Sequence, residues 1–331
     1  MREAVVVDEK KFAIKRAPKP VLDKDEVLIK VRCCGICGSD LHTYILGIPG
    51  RYGHEYAGDI VAVGSEVKGW KAGDSVTAES ACSCNECYWC TQGDMGLCET
   101  FLERWGASAG GFATYTKTKY QQLHKLPPGL SYEEASLTEP TAVALHAVRL
   151  SGMLTGDVVA VLGLGPIGQL VAQLAKISGA RAVYASETSK SRIKLAKGAV
   201  DEVLDAKKVD PAVRILELTG GRGPDVVFEC AGAVAPTMQA MTMTRKGGTI
   251  VIVGVCMNLA EIIVGSIALR ELTIKGSMLF NPSEFGVALS LIAGKKINVA
   301  PLITDVLPLD RINEAFEKAT SGEGGKILVK P

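Results

Sequence analysis

Aromatic residues are scarce: Phe, Trp and Tyr make up 5% of the 331 residues. That argues against the stacking platforms used to hold unpaired bases. Neither charge sign is in surplus, with 37 Lys plus Arg against 36 Asp plus Glu, and no basic tract occurs. Nucleic acid is therefore not an expected partner. The start, MREAVVVDEKKFAIKRAPKP, lacks the long apolar core and small-residue cleavage site of a secretion signal. Residues 158–175 carry no charge, yet three glycines, a proline and two glutamines interrupt them. A buried strand, a tight turn and a helix fit them better than a membrane span. The expected setting is the reducing cytoplasm, where clustered cysteines favour metal over disulfide. Internal repeats and low-complexity linkers are also missing.

What is present is ample core material, 47% hydrophobic against 22% charged, in a length that suits two domains. Residues 1–150 are rich in short alternating runs such as EVLIKVR and GDIVAVGSEV, separated by Gly, Pro and Asp. From Gly156 the texture changes. DVVAVLGLG, RAVYAS, DVVFECAG and GTIVIVGV are apolar strands, alternating with helical segments such as IGQLVAQLAKISGA, which ends at Gly179, and SKSRIKLAKG. Strand–helix alternation predicts an α/β fold with a doubly wound parallel sheet over 151–285. Residues 286–331 add two amphipathic helices and a last strand, GKILVK.

Five of the ten cysteines fall in CSCNECYWCTQGDMGLC. Cys84, Cys87, Cys90 and Cys98 follow C-x2-C-x2-C-x7-C, which lets four thiolates close around one tetrahedral zinc. A closed shell of thiolates predicts a structural site, within a lobe over about 80–100. Cys82 is a surplus thiol two residues before Cys84. The short spacings disfavour disulfides.

A second set begins at CCGICGSDLH and continues in GHE. Cys37 and His54 suit one zinc, with Glu55 or Glu139 as the candidate third ligand. His42 reads as a proton carrier or a surface histidine. Cys33 and Cys34 read as half-buried strand residues, and His124 and His146 as structural.

Gly163, Gly165 and Gly168 form G-x-G-x-x-G in GLGPIG, after an apolar strand and opening a helix. This is the setting of a dinucleotide pyrophosphate site, with Pro166 and Ile167 inside the turn. Glu187 lies 19 residues beyond Gly168. A carboxylate there accepts from ribose hydroxyls and repels a 2′-phosphate, so NAD is expected over NADP. Lys190 and Arg192 stand nearby, and Arg192 is a candidate cofactor contact.

Together CGICGSDLH, GHEYAG, VGSEVKGWKAGDSV, the cysteine lobe, EPTAVALHA, GLGPIG and DVVFECAG resemble the zinc-dependent medium-chain alcohol and polyol dehydrogenases. The EP of Glu139–Pro140 is similar to the sorbitol and butanediol branch. The resemblance implies a GroES-like catalytic domain around a Rossmann-type domain, with the C-terminal segment returning to the catalytic part. It implies two zincs per chain, NAD, and a homodimer or homotetramer. It also implies roles: Cys37, His54 and Glu55 with Glu139 at the catalytic zinc, and Asp40 orienting His54. Ser39 would take the substrate proton, and His42 would pass it on through the nicotinamide ribose. The implied reaction is hydride transfer from a secondary alcohol of a polyol, sugar alcohol or vicinal diol. L-threonine 3-dehydrogenation and an aminocyclitol or inositol-type reaction are alternatives, and a non-enzymatic NAD sensor or structural oligomer is a third. The 16 residues between Cys37 and His54 are fewer than in many relatives, so substrate choice does not carry over.

Overall fold

The computed structural model describes residues 1–79, 83–101 and 110–331. Cys82 lies outside the described residues. The strands are β1 (Arg2–Asp8), β2 (Lys11–Arg16), β3 (Glu26–Gly35), β4 (Gly50–Arg51), β5 (Glu55–Val63), β6 (Ser75–Ala78), β7 (Tyr115–Lys119) and β8 (Leu123–Lys125). Next come β9 (Val158–Leu162), β10 (Ala182–Glu187), β11 (Glu202–Asp205), β12 (Val226–Glu229), β13 (Thr249–Ile252) and β14 (Thr273–Gly276). The chain ends with β15 (Ile303–Pro308) and β16 (Lys326–Lys330).

The chain divides into two compact units, Met1–Glu139 with Phe280–Pro331, and Pro140–Leu279. The first unit is the GroES-like part. Its main sheet runs β15-β16-β3-β5-β6-β8, with β7 also on β3, and β2-β1-β4 form a small second sheet. Strand β3 is central, with β5, β7 and β16 all paired to it. Cys33 and Cys34 are therefore fully buried, not half-buried as their alternating sequence suggested. An alternating pattern signals one wet face, and neither face of β3 is wet there.

One aromatic cluster anchors this unit. Phe12 stacks on Tyr44 at 5.4 Å between ring centroids and meets Phe316 at 4.6 Å. Tyr44 belongs to the helix Gly38–Ile45, and its buried ring fixes that helix to the core. Asp40, four residues earlier and also buried, faces the same way.

The second unit is the Rossmann-type part. Six parallel strands run in the order β11-β10-β9-β12-β13-β14. The order reverses at β9, and in open sheets of this kind ligands bind beyond the carboxyl ends at the reversal. Every residue of β9 and β12 is buried, as near-continuous apolar runs covered on both faces require. Gly179 follows the helix Pro166–Ile177 with a φ of +96°, the left-handed turn that ends helices cheaply only with glycine. No helix among the described residues is long and apolar enough to cross a membrane.

Candidate active site

The pairing of β3 with β5 assembles the first cluster. Gly35 lies opposite Glu55, and Cys37 follows Gly35 by two residues. Cys37 is the N-cap of Gly38–Ile45, and its backbone N–H donates to Asp40 Oδ2 at 3.0 Å. Asp40 Oδ1 lies 3.5 Å from His54 Nδ1. One buried carboxylate thus ties the Cys37 turn to the imidazole, as oriented metal-binding histidines require. Burial opposes the His54 imidazolium, but Asp40 and Cys37 outweigh it and raise the histidine pKa.

The ligand atoms of Cys37, His54 and Glu55 all lie within 4.8 Å of one another. Glu55 is 1% exposed. Its Oε1 accepts from Lys326 Nζ at 2.6 Å, while Oε2 is buried without a hydrogen-bond partner among the described residues. A Cβ on Gly35 would stand 2.1 Å from that Oε2, so the carboxylate occupies the space a side chain would fill. An orphaned carboxylate oxygen beside a thiol and an imidazole is a donor set suited to zinc. Glu139, in the first turn of Thr138–Ser151, is buried but lies outside this three-residue cluster.

Sequence reasoning missed Lys326. It opens β16, which pairs with β3, and its ammonium also donates to the Ile36 carbonyl at 3.0 Å. Burial opposes its charge, yet Glu55, Cys37 and Glu139 more than compensate and its pKa is raised. Nothing in GKILVK marks this lysine, because its partner is 271 residues away. Ser39 and His42 lie on Gly38–Ile45 three residues apart, hence on neighbouring turns of one face. Ser39 Oγ is buried without a partner among the described residues, and His42 is exposed.

The second cluster is the cysteine lobe. The sulfurs of Cys84, Cys87, Cys90 and Cys98 also lie within 4.8 Å of one another. Cys87 caps the short helix Tyr88–Gln92, which places Cys90 one turn later, and Gly93 closes it at φ +90°. Met95–Leu97 then turns the chain so that Cys98 comes back. The backbone N–H of Cys87 donates to Cys84 Sγ at 3.2 Å, and that of Cys84 to Cys98 Sγ at 3.3 Å. N–H donation favours thiolate. Backbone N–H groups of Glu86 and Cys87 lower the Cys84 pKa to about 6, whereas burial pushes Cys90 up to about 12. The nine described cysteines are all free thiols.

The glycine loop lies at the carboxyl end of β9. Gly163 has φ +91°, and a Cβ there would stand 2.7 Å from the Ala231 nitrogen. A Cβ on Gly168 would stand 1.9 Å from the Gly163 carbonyl oxygen. Gly165 differs: the nearest atom to its Cβ would be Arg192 Nη1, at 3.6 Å. Protein packing therefore demands glycine at two positions, and the third leaves room for a ligand. Gly165 caps the helix Pro166–Ile177, with Pro166 at its first position. Ile167 follows, half-buried.

Glu187 does more than wait for a ribose. Its Oε2 accepts from the Leu164 N–H at 2.9 Å, and its Oε1 from the N–H groups of Thr188 at 2.6 Å and Ser189 at 3.0 Å. Arg192 Nη1 stands 3.9 Å from it. Glu229, at the end of β12, accepts from the N–H groups of Ala231 and Gly232 at 2.9 and 3.0 Å. Two carboxylates thus brace the loops around the reversal point.

Comparison with known proteins agrees with this arrangement. Residues 23–128 match the alcohol dehydrogenase GroES-like domain, and residues 166–294 the zinc-binding dehydrogenase domain. The chain belongs to the zinc-dependent medium-chain alcohol and polyol dehydrogenase family. It is 37% identical to a sorbitol dehydrogenase of Halalkalibacterium halodurans, over 97% of this chain and 96% of that protein. It is also 37% identical to an (R,R)-butanediol dehydrogenase of Bacillus subtilis, over the full length of both. A Sinorhizobium meliloti 1021 structure described as a zinc-binding dehydrogenase, bound to NADP, superposes with a TM-score of 0.93 at 31% identity, covering 100% of this chain and 99% of that one.

Proposed function

We propose that this dehydrogenase oxidises a secondary alcohol of a polyol, sugar alcohol or vicinal diol, with NAD as the acceptor. The observation that carries the reading is the Cys37–His54–Glu55 cluster, with its unpartnered carboxylate oxygen. Two sorbitol- and butanediol-type relatives at 37% identity support the substrate class.

The first unit would perform the chemistry and the second hold the cofactor. Zinc held by Cys37, His54 and Glu55 would supply Lewis acidity to a substrate oxygen, and NAD bound at the glycine loop would accept the hydride. Asp40 fixes the His54 ring, and Lys326 fixes one Glu55 oxygen. Ser39 offers a buried hydroxyl with spare hydrogen-bonding capacity, suited to accept the substrate proton. His42, exposed one turn on, is placed to pass that proton to water. Glu139, close enough to act on Lys326 electrostatically, stands by as an alternative carboxylate. The lobe of Cys84, Cys87, Cys90 and Cys98 would hold a second, structural zinc.

Glu187 supports NAD over NADP, because its buried carboxylate would repel a 2′-phosphate. Arg192 pairs with that carboxylate and is partly neutralised by it. A homodimer or homotetramer is supported by the edge strand β14 and its neighbours. Met257, Leu259, Ile263 and Leu269 are 84%, 97%, 78% and 84% exposed there. A cytoplasmic setting is supported by the free thiols.

The test is a screen of diols and polyols with NAD and with NADP, zinc content being measured on the same sample. Oxidation of secondary alcohols with NAD is expected, and Cys37→Ser should remain folded and bind NAD without turnover. A zinc-loaded protein inactive on every secondary alcohol would refute the reading.

A further inference from the structure

The second unit holds a cavity of about 640 Å³ away from the glycine loop, lined by Leu216, Gly221, Arg222, Thr242, Arg245, Lys246 and Arg270. Each charged lining residue stands three or four residues ahead of β12, β13 or β14, so the cavity lies at the amino edge of the sheet. The glycine loop, Glu187 and Glu229 occupy the opposite, carboxyl edge.

Four cations line the cavity, and its lining has no carboxylate. Asp225, 6% exposed, takes Arg222 on both oxygens and Arg245 on one. Asp225 is the one carboxylate bonded to these cations among the described residues, and Asp157 acts on Arg222 from farther off, so positive charge remains in excess here, in a chain whose net charge is +1. Such crowding of like charge destabilises the fold unless it is compensated.

The guanidiniums are held in place before any ligand arrives. Asp225 is itself anchored by the Val158 N–H at 2.9 Å, and it orients Arg222 and Arg245. Arg245 also donates to the Lys246 carbonyl, and Arg270 to the carbonyls of Met241 and Thr244 at the end of the helix Val234–Met243. Each arginine spends two donors in these contacts, out of the five a guanidinium carries, and three remain. Lys246 is exposed at the rim and makes no ion pair among the described residues. Fixed donors of this kind lose little freedom on binding. Planar guanidiniums match the oxygens of phosphate in geometry as well as charge.

We propose that this cavity is an anion site for a phosphorylated small molecule, separate from the cofactor site. The phosphate would sit on Arg222, Arg245, Lys246 and Arg270, and the neutral part against Leu216 and Gly221. The volume falls within the range of small-molecule pockets, about 300–1,000 Å³.

The experiment is calorimetric titration of inorganic pyrophosphate into the full chain at low salt, with chloride at matched ionic strength as the control. Lys246→Glu should weaken binding at least tenfold, because it turns the rim cation into an anion. Lys246→Arg should retain the binding, and Arg192→Gln, at the glycine loop, should leave the Lys246-dependent binding unchanged. The Lys246 side chain makes no ion pair or hydrogen bond among the described residues, so its variants should fold. Absence of binding in the unaltered chain overturns the proposal. So does binding that Lys246→Glu leaves intact, or that Arg192→Gln removes, since the anion would then occupy the glycine loop.

Discussion

Lys326 Nζ lies 2.6 Å from Glu55 Oε1, and both side chains are almost wholly buried. The pair places a cation against a carboxylate whose other oxygen faces the Cys37–His54 cluster. Removing one member of a buried pair usually costs about 3–5 kcal/mol, because the other is left charged without a partner. Lys326→Met should therefore destabilise the metal-free chain by about that amount. Zinc would supply a second positive partner for Glu55, so the loss should shrink when zinc is present. Thermal unfolding with and without zinc measures the difference. An equal loss in both states would mean that Glu55 does not face the metal.

Gly35 makes the same point from the other side. A methyl group at this position would meet Glu55 Oε2 at 2.1 Å, and Cβ atoms do not approach oxygen so closely. Gly35→Ala should push the carboxylate out of the cluster. Overpacking of this size costs about 1–3 kcal/mol, so the chain should still fold. Zinc content should fall towards that of the lobe alone, and turnover at least tenfold. Full zinc content with full turnover would show that the carboxylate position does not matter.

The parts of the site that could be read from sequence are those built by neighbours in the chain. The four lobe cysteines sit on one short helix and its flanking turns, so their spacing carries their geometry. Cys37 follows β3 by two residues, and His54 and Glu55 stand at the start of β5, its paired neighbour, with only 16 residues between Cys37 and His54. The glycine motif is local for the same reason. Lys326 could not be read, since β16 reaches β3 only after the Rossmann-type unit has intervened. The burial of Cys33 and Cys34 depends on strand order, which alternation along one strand does not encode. The second role of Glu187 was hidden too. It arises because β9 and β10 lie adjacent and in register, which brings the Leu164 N–H to its carboxylate.

The lobe should take up metal with release of protons. Burial pushes Cys90 up to about 12, so that thiol is protonated at neutral pH and must lose its proton to bind zinc. Cys84, lowered to about 6, is already mostly thiolate there. Zinc affinity should therefore rise with pH above neutrality. It should fall more steeply as pH drops through about 6, where Cys84 also protonates. Calorimetry in two buffers of different ionisation enthalpy, on a Cys37→Ser background that leaves the lobe as the zinc site, counts the protons. A pH-independent affinity would contradict four-thiolate binding. Cys87→Ser should release the lobe zinc and lower the melting temperature, while the Cys37 cluster keeps its own metal.

Exchanging the nucleotide preference at Glu187 should cost stability as well as change specificity. A ribose-binding carboxylate at a strand end can often be replaced without structural loss. This one is 7% exposed and accepts N–H groups from Leu164, Thr188 and Ser189. The Leu164 and Ser189 N–H groups are buried and would lose this acceptor in Glu187→Ala, at about 1–3 kcal/mol apiece before relaxation intervenes, whereas Thr188 is exposed and water can replace the carboxylate there. Ser189 is also the N-cap of the helix Lys190–Leu195, so loss at this corner would loosen the segment that carries Arg192. Glu187→Ala should lower kcat/KM with NAD, raise it with NADP as Arg192 is freed, and reduce the melting temperature by several degrees. Parallel kinetics with the two cofactors, alongside thermal unfolding, separate the effects. Unchanged stability with a switched preference would leave Glu187 as a cofactor contact alone and remove its part in holding the glycine loop.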